Sequence, residues 1–327
     1  MDGMKDKKIV ITGAAGLVGQ NLVQRLFRAG FTDIVALDKH RENAAVLSKL
    51  HPSLRVVLAD LAVDEGWEKE LASCDSLVIS HAQIGGLVAS EFVRNNIHAT
   101  DRLLKAAERQ LVPYIVHISS SVVNSKAVDN YTETKKQQEA LVAAAGFKHI
   151  ILRPTLMFGW FDRNHLGWLA RFMSRVPIFP VPGSGQYLRQ PLYVGDFCDI
   201  MIASIQKKMT GIYNISGREK IAYIDLMKAV RTSVNCKTRI QSIPYAAFWI
   251  LLKTYALFDS NPPFTTKQLE ALVTPDVFEV IDWPAIFGVN ATNLDEALRE
   301  TFQDPVYSQI ALSFQDCALA DSGMLAM

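Results

Sequence analysis

Short apolar runs alternate with longer stretches of helical period through the N-terminal part of the chain. Lys7 to Ile11 ends in three consecutive apolar residues, Ile9-Val10-Ile11, and reads as a strand covered on both faces. Asn21 to Ala29 repeats apolar residues at helical spacing, and Gly30 stands where that helix should stop. Further strands are predicted at Val35 to Asp38, Leu54 to Ala59, Ser76 to Ser80, Tyr114 to Ser119 and His149 to Arg153. Glu91 to Arg109 supplies a crossover helix between the fourth and fifth strands, and Tyr131 to Ala145 a long helix before the sixth. Regular strand–helix alternation predicts an α/β fold with a doubly wound parallel sheet. Ligands of such sheets gather at the carboxyl ends of the strands.

The first strand meets the first helix through Thr12-Gly13-Ala14-Ala15-Gly16-Leu17-Val18-Gly19. This order aims the start of a helix, with its unpaired N–H groups, at a pyrophosphate. In that reading Gly13 makes the turn, Gly16 lets a phosphate approach the backbone, and Gly19 lets the helix pack closely on the sheet. Three glycines near a turn also occur for purely structural reasons. The second strand, however, ends in Asp38, about 20 residues on, where an acid suits the adenosine ribose hydroxyls and repels a 2′-phosphate. The expected fold is therefore Rossmann-type and the expected cofactor NAD rather than NADP. Its expected contacts here are Gly13, Ala15, Gly16, Leu17, Val18 and Asp38. Arg41 argues the other way, since a nearby arginine can hold that phosphate.

Tyr131 and Lys135 open the long helix one turn apart and on one face. A free tyrosine titrates near 10, too high for an efficient base at neutral pH. A nearby ammonium stabilises the phenolate and lowers that value, and the helix start adds a field that favours the anion. Ser119-Ser120-Ser121 ends the preceding strand, where a hydroxyl can hold a substrate oxygen beside the tyrosine. Alone, Tyr-x-x-x-Lys usually marks a solvated helix face. Placed after a serine-ending fifth strand and downstream of the glycine turn, it reads as a proton-transfer centre.

These motifs together resemble the extended short-chain dehydrogenase/reductases, the NAD-dependent epimerase/dehydratase family. The matching residues run in the family's order from Thr12-Gly13-x-x-Gly16-x-x-Gly19 through Asp38, Asp60-Leu61, Asn96-Ile97-x-x-Thr100 and Ser119-Ser120-Ser121. They continue through Tyr131-x-x-x-Lys135-x-x-x-Glu139, Leu152-Arg153-Pro154, Arg189-x-x-Leu192-Tyr193-Val194-x-Asp196 and Tyr213-Asn214-Ile215-Ser216-Gly217. The resemblance implies Tyr131 as acid/base and Lys135 as the group that lowers its pKa and binds the nicotinamide ribose. It implies Ser121 as the substrate-positioning hydroxyl, completing a catalytic set of Tyr131, Lys135 and Ser121. It adds Asp60, Leu61, Ala82, Asn96, Ser119 and Pro154 to the cofactor contacts, with Tyr131 and Lys135 among them. One departure stands out. Relatives carry His-Leu-Ala-Ala after the fourth strand, where this chain has Ser80-His81-Ala82-Gln83, so His81 and Gln83 read either as cofactor or substrate contacts or as packing.

Composition narrows the partners. A formal charge of +1 gives no electrostatic reason to expect nucleic acid. Cys74, Cys198, Cys236 and Cys317 lie far apart without metal-like spacing, so no metal is expected and the thiols read as reduced ones of a cytoplasmic protein. The charged stretch Met1 to Lys8 argues against a signal peptide. Tyr245 to Phe258, interrupted by Lys253, is too short to span a bilayer. It reads as core or a dimer contact, or else as a lipid-facing lid.

The expected organisation is a cofactor domain over 1–160, to which further strands and helices near 189–216 return. A smaller C-terminal substrate lobe covers 161–188 and 217–304, and 305–327 is a tail. Asp282 to Phe302 reads as a strand, turn and helix closing that lobe. By resemblance, Asn164 and Leu166 lie beside a substrate nucleotide and Arg189 binds its diphosphate, as a planar, multi-donor guanidinium can. Otherwise Asp162 and Arg163 cap a helix and Arg189 pairs with Asp196. Relatives that expel water carry an acid pair after the strand-end hydroxyl; here Ser121 is followed by Val122 and Val123, which transfer no proton. The expected activity is therefore epimerisation or alcohol/ketone oxidoreduction of a nucleotide-linked sugar by a homodimer. The alternatives are a dehydrogenase of an apolar alcohol, of sterol or isoprenoid type, and a non-catalytic NAD-binding subunit.

Overall fold

The computed structural model of the protein describes residues 6–86, 88–126, 128–163, 165–258, 269, 273 and 278–313. The six predicted strands form as β1 (Lys8–Thr12), β2 (Ile34–Asp38), β3 (Arg55–Leu58), β4 (Cys74–Ile79), β5 (Tyr114–Ile118) and β6 (Lys148–Pro154). A further strand, Gly211–Ile215, joins outside β6 to complete a seven-stranded sheet in which β5, β4, β1, β2 and β3 follow in space. Every pairing is parallel. The unbroken apolar run of β1 is explained by its two faces: Ile9 and Ile11 enter one buried cluster while Val10 enters another. A sheet covered on both sides has no polar face to alternate with. The connections diverge between β1 and β4, and that parting at the strands' carboxyl ends is where doubly wound sheets take ligands.

Helix α1 (Leu17–Arg28) begins directly after Gly16, earlier than its apolar period indicated, because the polar Gln20 and Asn21 are themselves buried in its first turns. Helix α2 (Arg41–Leu50) follows β2. Helix α3 runs as Ala89–Phe92, a π-helical stretch Val93–His98, and Ala99–Arg109. Such wide turns are rare and gather at functional sites; this one turns Asn95 and Asn96 inward, both buried. Helix α4 (Asn130–Ala144) is started by Asp129, whose carboxylate accepts from Thr132 N at 2.9 Å.

Beyond β6 the chain builds smaller units. Ile178–Pro182 pairs in parallel with Arg239–Ile243, and Leu188–Arg189 pairs antiparallel with Ile221–Ala222. The strand expected after Asp282 is instead a helix, Trp283–Phe287, followed by a second, Leu294–Gln303. Pro284 suits a first helical turn, and Gly288 (φ 68°) ends it in the left-handed region. Tyr245–Phe258 is helical; Phe248 is buried, whereas Tyr245, Trp249, Ile250 and Leu251 are exposed. Residues 305–313 pack back on the sheet domain. Tyr307 lies against Trp160, ring centroids 4.4 Å apart, and Leu312 is buried with Trp160 and Phe161. Among the described residues no helix is long and apolar enough to cross a membrane.

The tightest approach in the first βα unit is at Gly19, where a Cβ would fall 2.4 Å from Ala14 Cα. Backbone atoms cannot yield cheaply there, so Gly19→Ala should destabilise by about 1–3 kcal/mol. Denaturant unfolding checks this; an unchanged midpoint would refute the close packing.

Candidate active site

Gly13 holds a left-handed φ of +64°, and a Cβ on it would stand 2.7 Å from both Cα and N of His81. Only glycine fits a turn pressed this closely against the end of β4. The turn is then tied to the end of β2 by one carboxylate. Asp38 Oδ2 accepts from Ala15 N, and Oδ1 from His40 N, each at 2.8 Å. Below the turn lies a cavity of about 610 Å³ walled by Gly13, Gly16, Leu17, Val18, Asp38, Asp60, Leu61 and Ala82. A Cβ on Gly16 would meet only Gly13 O, at 3.4 Å, so the backbone is open to a close phosphate. These residues fit a dinucleotide: a bare helix start for the pyrophosphate, an acid for the ribose and an apolar slot at Leu61 for the adenine. Ala15 serves through its backbone, off the cavity wall. Arg41 is exposed and absent from that wall, where Lys39 stands instead, its Nζ donating to Asn95 Oδ1 at 2.8 Å.

Farther along the same cavity stand Ser119, Ser120, Ser121, Tyr131, Lys135 and Pro154. The hydroxyl that bonds the phenol is that of Ser120, one residue before the expected Ser121. Burial raises the Tyr131 pKa, Ser120 lowers it and the Asp129 charge raises it, and the net is upward. This reverses the expected lowering. The physical reason is the burial of the phenol itself, which outweighs the Ser120 hydrogen bond. Lys135 is buried too: desolvation takes its pKa from 10.5 to about 7, and the Glu139 charge offsets only part of that. An ammonium that loses its charge near neutrality exerts a weaker field on its neighbour. Lys135 Nζ donates to Ile118 O at 2.9 Å and to Gln138 Oε1 at 2.6 Å. Ser119 Oγ donates to Glu139 Oε2 at 2.5 Å, and Glu139 also pairs with Arg153.

Asn96 stands off the cavity wall and works as a brace. It accepts from Gln83 N at 2.6 Å and donates to Gln83 O at 3.2 Å and to Thr134 Oγ1 at 2.9 Å, tying the loop after β4 to α4. His81 is a packed neutral histidine, its pKa pushed down to about 3 by burial and by the Lys135 and Lys39 charges. Of the residues expected at a substrate, Asn164 lies outside the described residues. Leu166 is 7 % exposed in the hydrophobic core and Arg189 stands outside the cavity wall, its guanidinium over the Tyr187 ring. Asp196 does not pair with Arg189; it accepts from Thr292 N and Oγ1. Asp162 does cap the following helix, accepting from His165 N at 2.9 Å and Gly167 N at 3.0 Å. Ile84, Leu156, Met157, Phe161 and Phe278 give the cavity apolar wall, with Arg163 and His165 also lining it. Sequence reasoning missed Ser120, which only a one-residue difference in strand end could separate from Ser121. It also missed Phe278 and Leu312, which reach the cavity by long-range packing without a local signal.

The Lys135 shift makes stability depend on pH. An unfolded lysine keeps its proton to about pH 10, whereas folded Lys135 gives it up near 7. Between those values the unfolded chain binds more protons, so stability rises with pH and is least favoured below 7. Lys135→Met removes the titration. The melting temperature of the variant minus that of the parent should therefore be greater at pH 6 than at pH 9. An equal difference at both would overturn the assignment.

The profile of the NAD dependent epimerase/dehydratase family matches residues 9–216. A 4-hydroxy-2-methyl-3-oxo-4-farnesyl-3,4-dihydroquinoline-1-oxide ketoreductase of Stigmatella aurantiaca is 25% identical over 258 residues, 72% of this chain and 76% of its own. A ceramide reductase of Caulobacter vibrioides is 24% identical over 83% of this chain and 81% of its own. In fold, the chain is similar to the UDP-glucuronic acid 4-epimerase from Bacillus cereus in complex with NAD, with a TM-score of 0.70 at 19% identity over 90% of this chain and 95% of that one. With the glycine turn, Asp38 and the Tyr131–Lys135 helix all facing one cavity, the match across most of the sheet domain places the chain in the NAD dependent epimerase/dehydratase family, as an enzyme whose cofactor is NAD.

Proposed function

We propose that the protein interconverts a secondary alcohol and a ketone on a nucleotide-linked sugar, as an epimerase or a 4-keto reductase/dehydrogenase, with Tyr131 as its acid/base. One observation carries this reading: the glycine turn, Tyr131 with Ser120, and the side chains of Arg163 and His165 share a single cavity. Bound NAD supplies the two-electron acceptor or donor. Tyr131 takes the hydroxyl proton as the alcohol is oxidised and returns it to the oxygen as the ketone is reduced. Ser120 and Ser121 hold that oxygen. The raised phenol keeps its proton at neutral pH, which sets the resting site for donating to a ketone. Val122 lines the cavity after Ser121 and offers no second acid, which speaks against water expulsion. Arg163 and His165 suit a diphosphate, with Arg163 able to form paired hydrogen bonds to it.

A second reading, reduction of an apolar ketone, has its own support. Ile84, Leu156, Met157, Phe161 and Phe278 make the outer wall apolar, and Arg189 and Leu166 stand outside it. Two similar proteins are named as reductases of a farnesylated quinoline and of a ceramide. We also propose a homodimer paired through the outer faces of α3 and α4; a monomer mass by light scattering at micromolar concentration would exclude it.

Tyr131→Phe should lower turnover by about 10²–10⁴-fold and leave NAD binding intact, measured by calorimetry and by nucleotide released on denaturation. An active variant would remove Tyr131 from the chemistry. Uridine diphosphate separates the substrate classes: saturable binding at micromolar concentration supports the sugar nucleotide. No binding, together with turnover of a long-chain ketone, supports the second reading.

A further inference from the structure

Gln138 is fully buried on α4, one turn after Lys135, and neither the glycine turn nor the Tyr-x-x-x-Lys spacing accounts for it. Its amide lies in an unbroken run of hydrogen bonds. Lys135 Nζ to Gln138 Oε1 is 2.6 Å, Gln138 Nε2 to Thr100 Oγ1 is 2.9 Å, and Thr100 Oγ1 to His81 Nε2 is 3.0 Å. His81 Nδ1 to Thr12 Oγ1 is 2.8 Å, and Thr12 Oγ1 to Val78 O is 3.3 Å. The chain crosses from α4 through α3 to the ends of β4 and β1; Lys135, Gln138, Thr100 and Thr12 are buried, and His81 is half-buried on the cavity wall.

The direction of the first bonds follows from one fact: in its charged form Lys135 only donates. Gln138 must therefore turn its oxygen to Lys135 and its amide nitrogen to Thr100. With the Thr100 oxygen accepting from Gln138, its single hydrogen is available to His81 Nε2. His81 is neutral and must then carry its hydrogen on Nδ1, which it donates to Thr12, and Thr12 passes its own to Val78 O. In this arrangement each of Gln138, Thr100, His81 and Thr12 accepts from one neighbour and donates to the next. Lys135 has three N–H groups and spends two on Gln138 Oε1 and Ile118 O. The charged form keeps a third N–H, and Lys135 stands on the cavity wall.

We propose that Gln138 is a positioning residue, which acts through Lys135 by holding its ammonium at the end of a directional chain anchored through Thr100 and His81 on Thr12. The anchor is also where the cofactor turn rests, since Gly13 packs on the His81 backbone. The charged or titratable groups facing Lys135 are Glu139 on α4 itself, His117 on β5 and His81 after β4, with Tyr131 one turn earlier. Removing the Gln138 oxygen withdraws an acceptor that favours the charged lysine. Replacing the amide with a carboxylate keeps the acceptor and adds a negative charge.

This inference rests on Lys135 serving Tyr131, so its test reads the lysine directly and needs no turnover. The full-length protein is labelled with 13Cε-lysine, the Lys135 resonance is assigned by its loss in Lys135→Met, and its shift is followed against pH by NMR. Gln138→Leu should lower the apparent pKa by about one unit, a tenfold loss of proton affinity, and Gln138→Glu should raise it by at least as much. Thr100→Val, which cuts the chain one link farther on and keeps the side-chain shape, should move it in the same direction as Gln138→Leu but less. It also stands in if thermal melts show Gln138→Leu to be unfolded. A Lys135 pKa unchanged in Gln138→Glu and in Thr100→Val would overturn the proposal. If Tyr131→Phe stays active while these shifts appear, the acid/base reading fails and the positioning of Lys135 stands.

Discussion

An ammonium sealed between the end of β5 and helix α4 governs the chemistry around it. Lys135 is 1 % exposed, and a cation so far from water persists only where oxygens replace its hydration. Ile118 O and Gln138 Oε1 do that. Their geometry requires β5 to stop where it does and α4 to start where Asp129 starts it. The three serines, the phenol and Lys135 line one cavity. Burial acts on the phenol in the same sense and holds it away from the phenolate.

A second constraint comes from the sheet. Parallel strands covered on both faces leave their carboxyl ends as the one rim where backbone groups open to a ligand. The turn at Gly13 is pressed onto the end of β4, and Asp38 ties it to the end of β2, so three strand ends define the cofactor cradle together. Asn96 extends the bracing by clamping both backbone groups of Gln83 and reaching Thr134. The π-helical turn in α3 is what brings Asn95 and Asn96 inward. Rigid supports of this kind hold reacting groups at fixed distances more firmly than mobile loops do.

The outer part of the cavity obeys different rules. It is lined by side chains from the loop after β4, the segment after β6, Phe278 and Leu312, which are far apart in the chain. Leu166 shows how local reasoning went astray there. Its neighbours match a nucleotide-binding segment, yet the helix capped by Asp162 rotates Leu166 into the core and leaves Arg163 and His165 on the cavity wall. Arg189 likewise sits on a short antiparallel pair with Ile221–Ala222 and lies over Tyr187. Which cation faces a substrate is therefore decided by helix phase and by strand pairing.

What the sequence determined by itself is the parallel sheet and the placing of its marked residues on one cavity. Apolar runs, a glycine turn of fixed spacing and an acid at the next strand end are local patterns whose physics acts within a few residues. Strand positions, Gly13, Gly16, Asp38, Tyr131 and Lys135 could therefore be read before any coordinates. Only the tertiary structure decided that Ser120 bonds the phenol, that burial drives Tyr131 and Lys135 toward their neutral forms, and that Leu312 returns from the far end of the chain to the cavity. Desolvation and long-range packing depend on which distant segments close over a group, and no spacing along the chain encodes that.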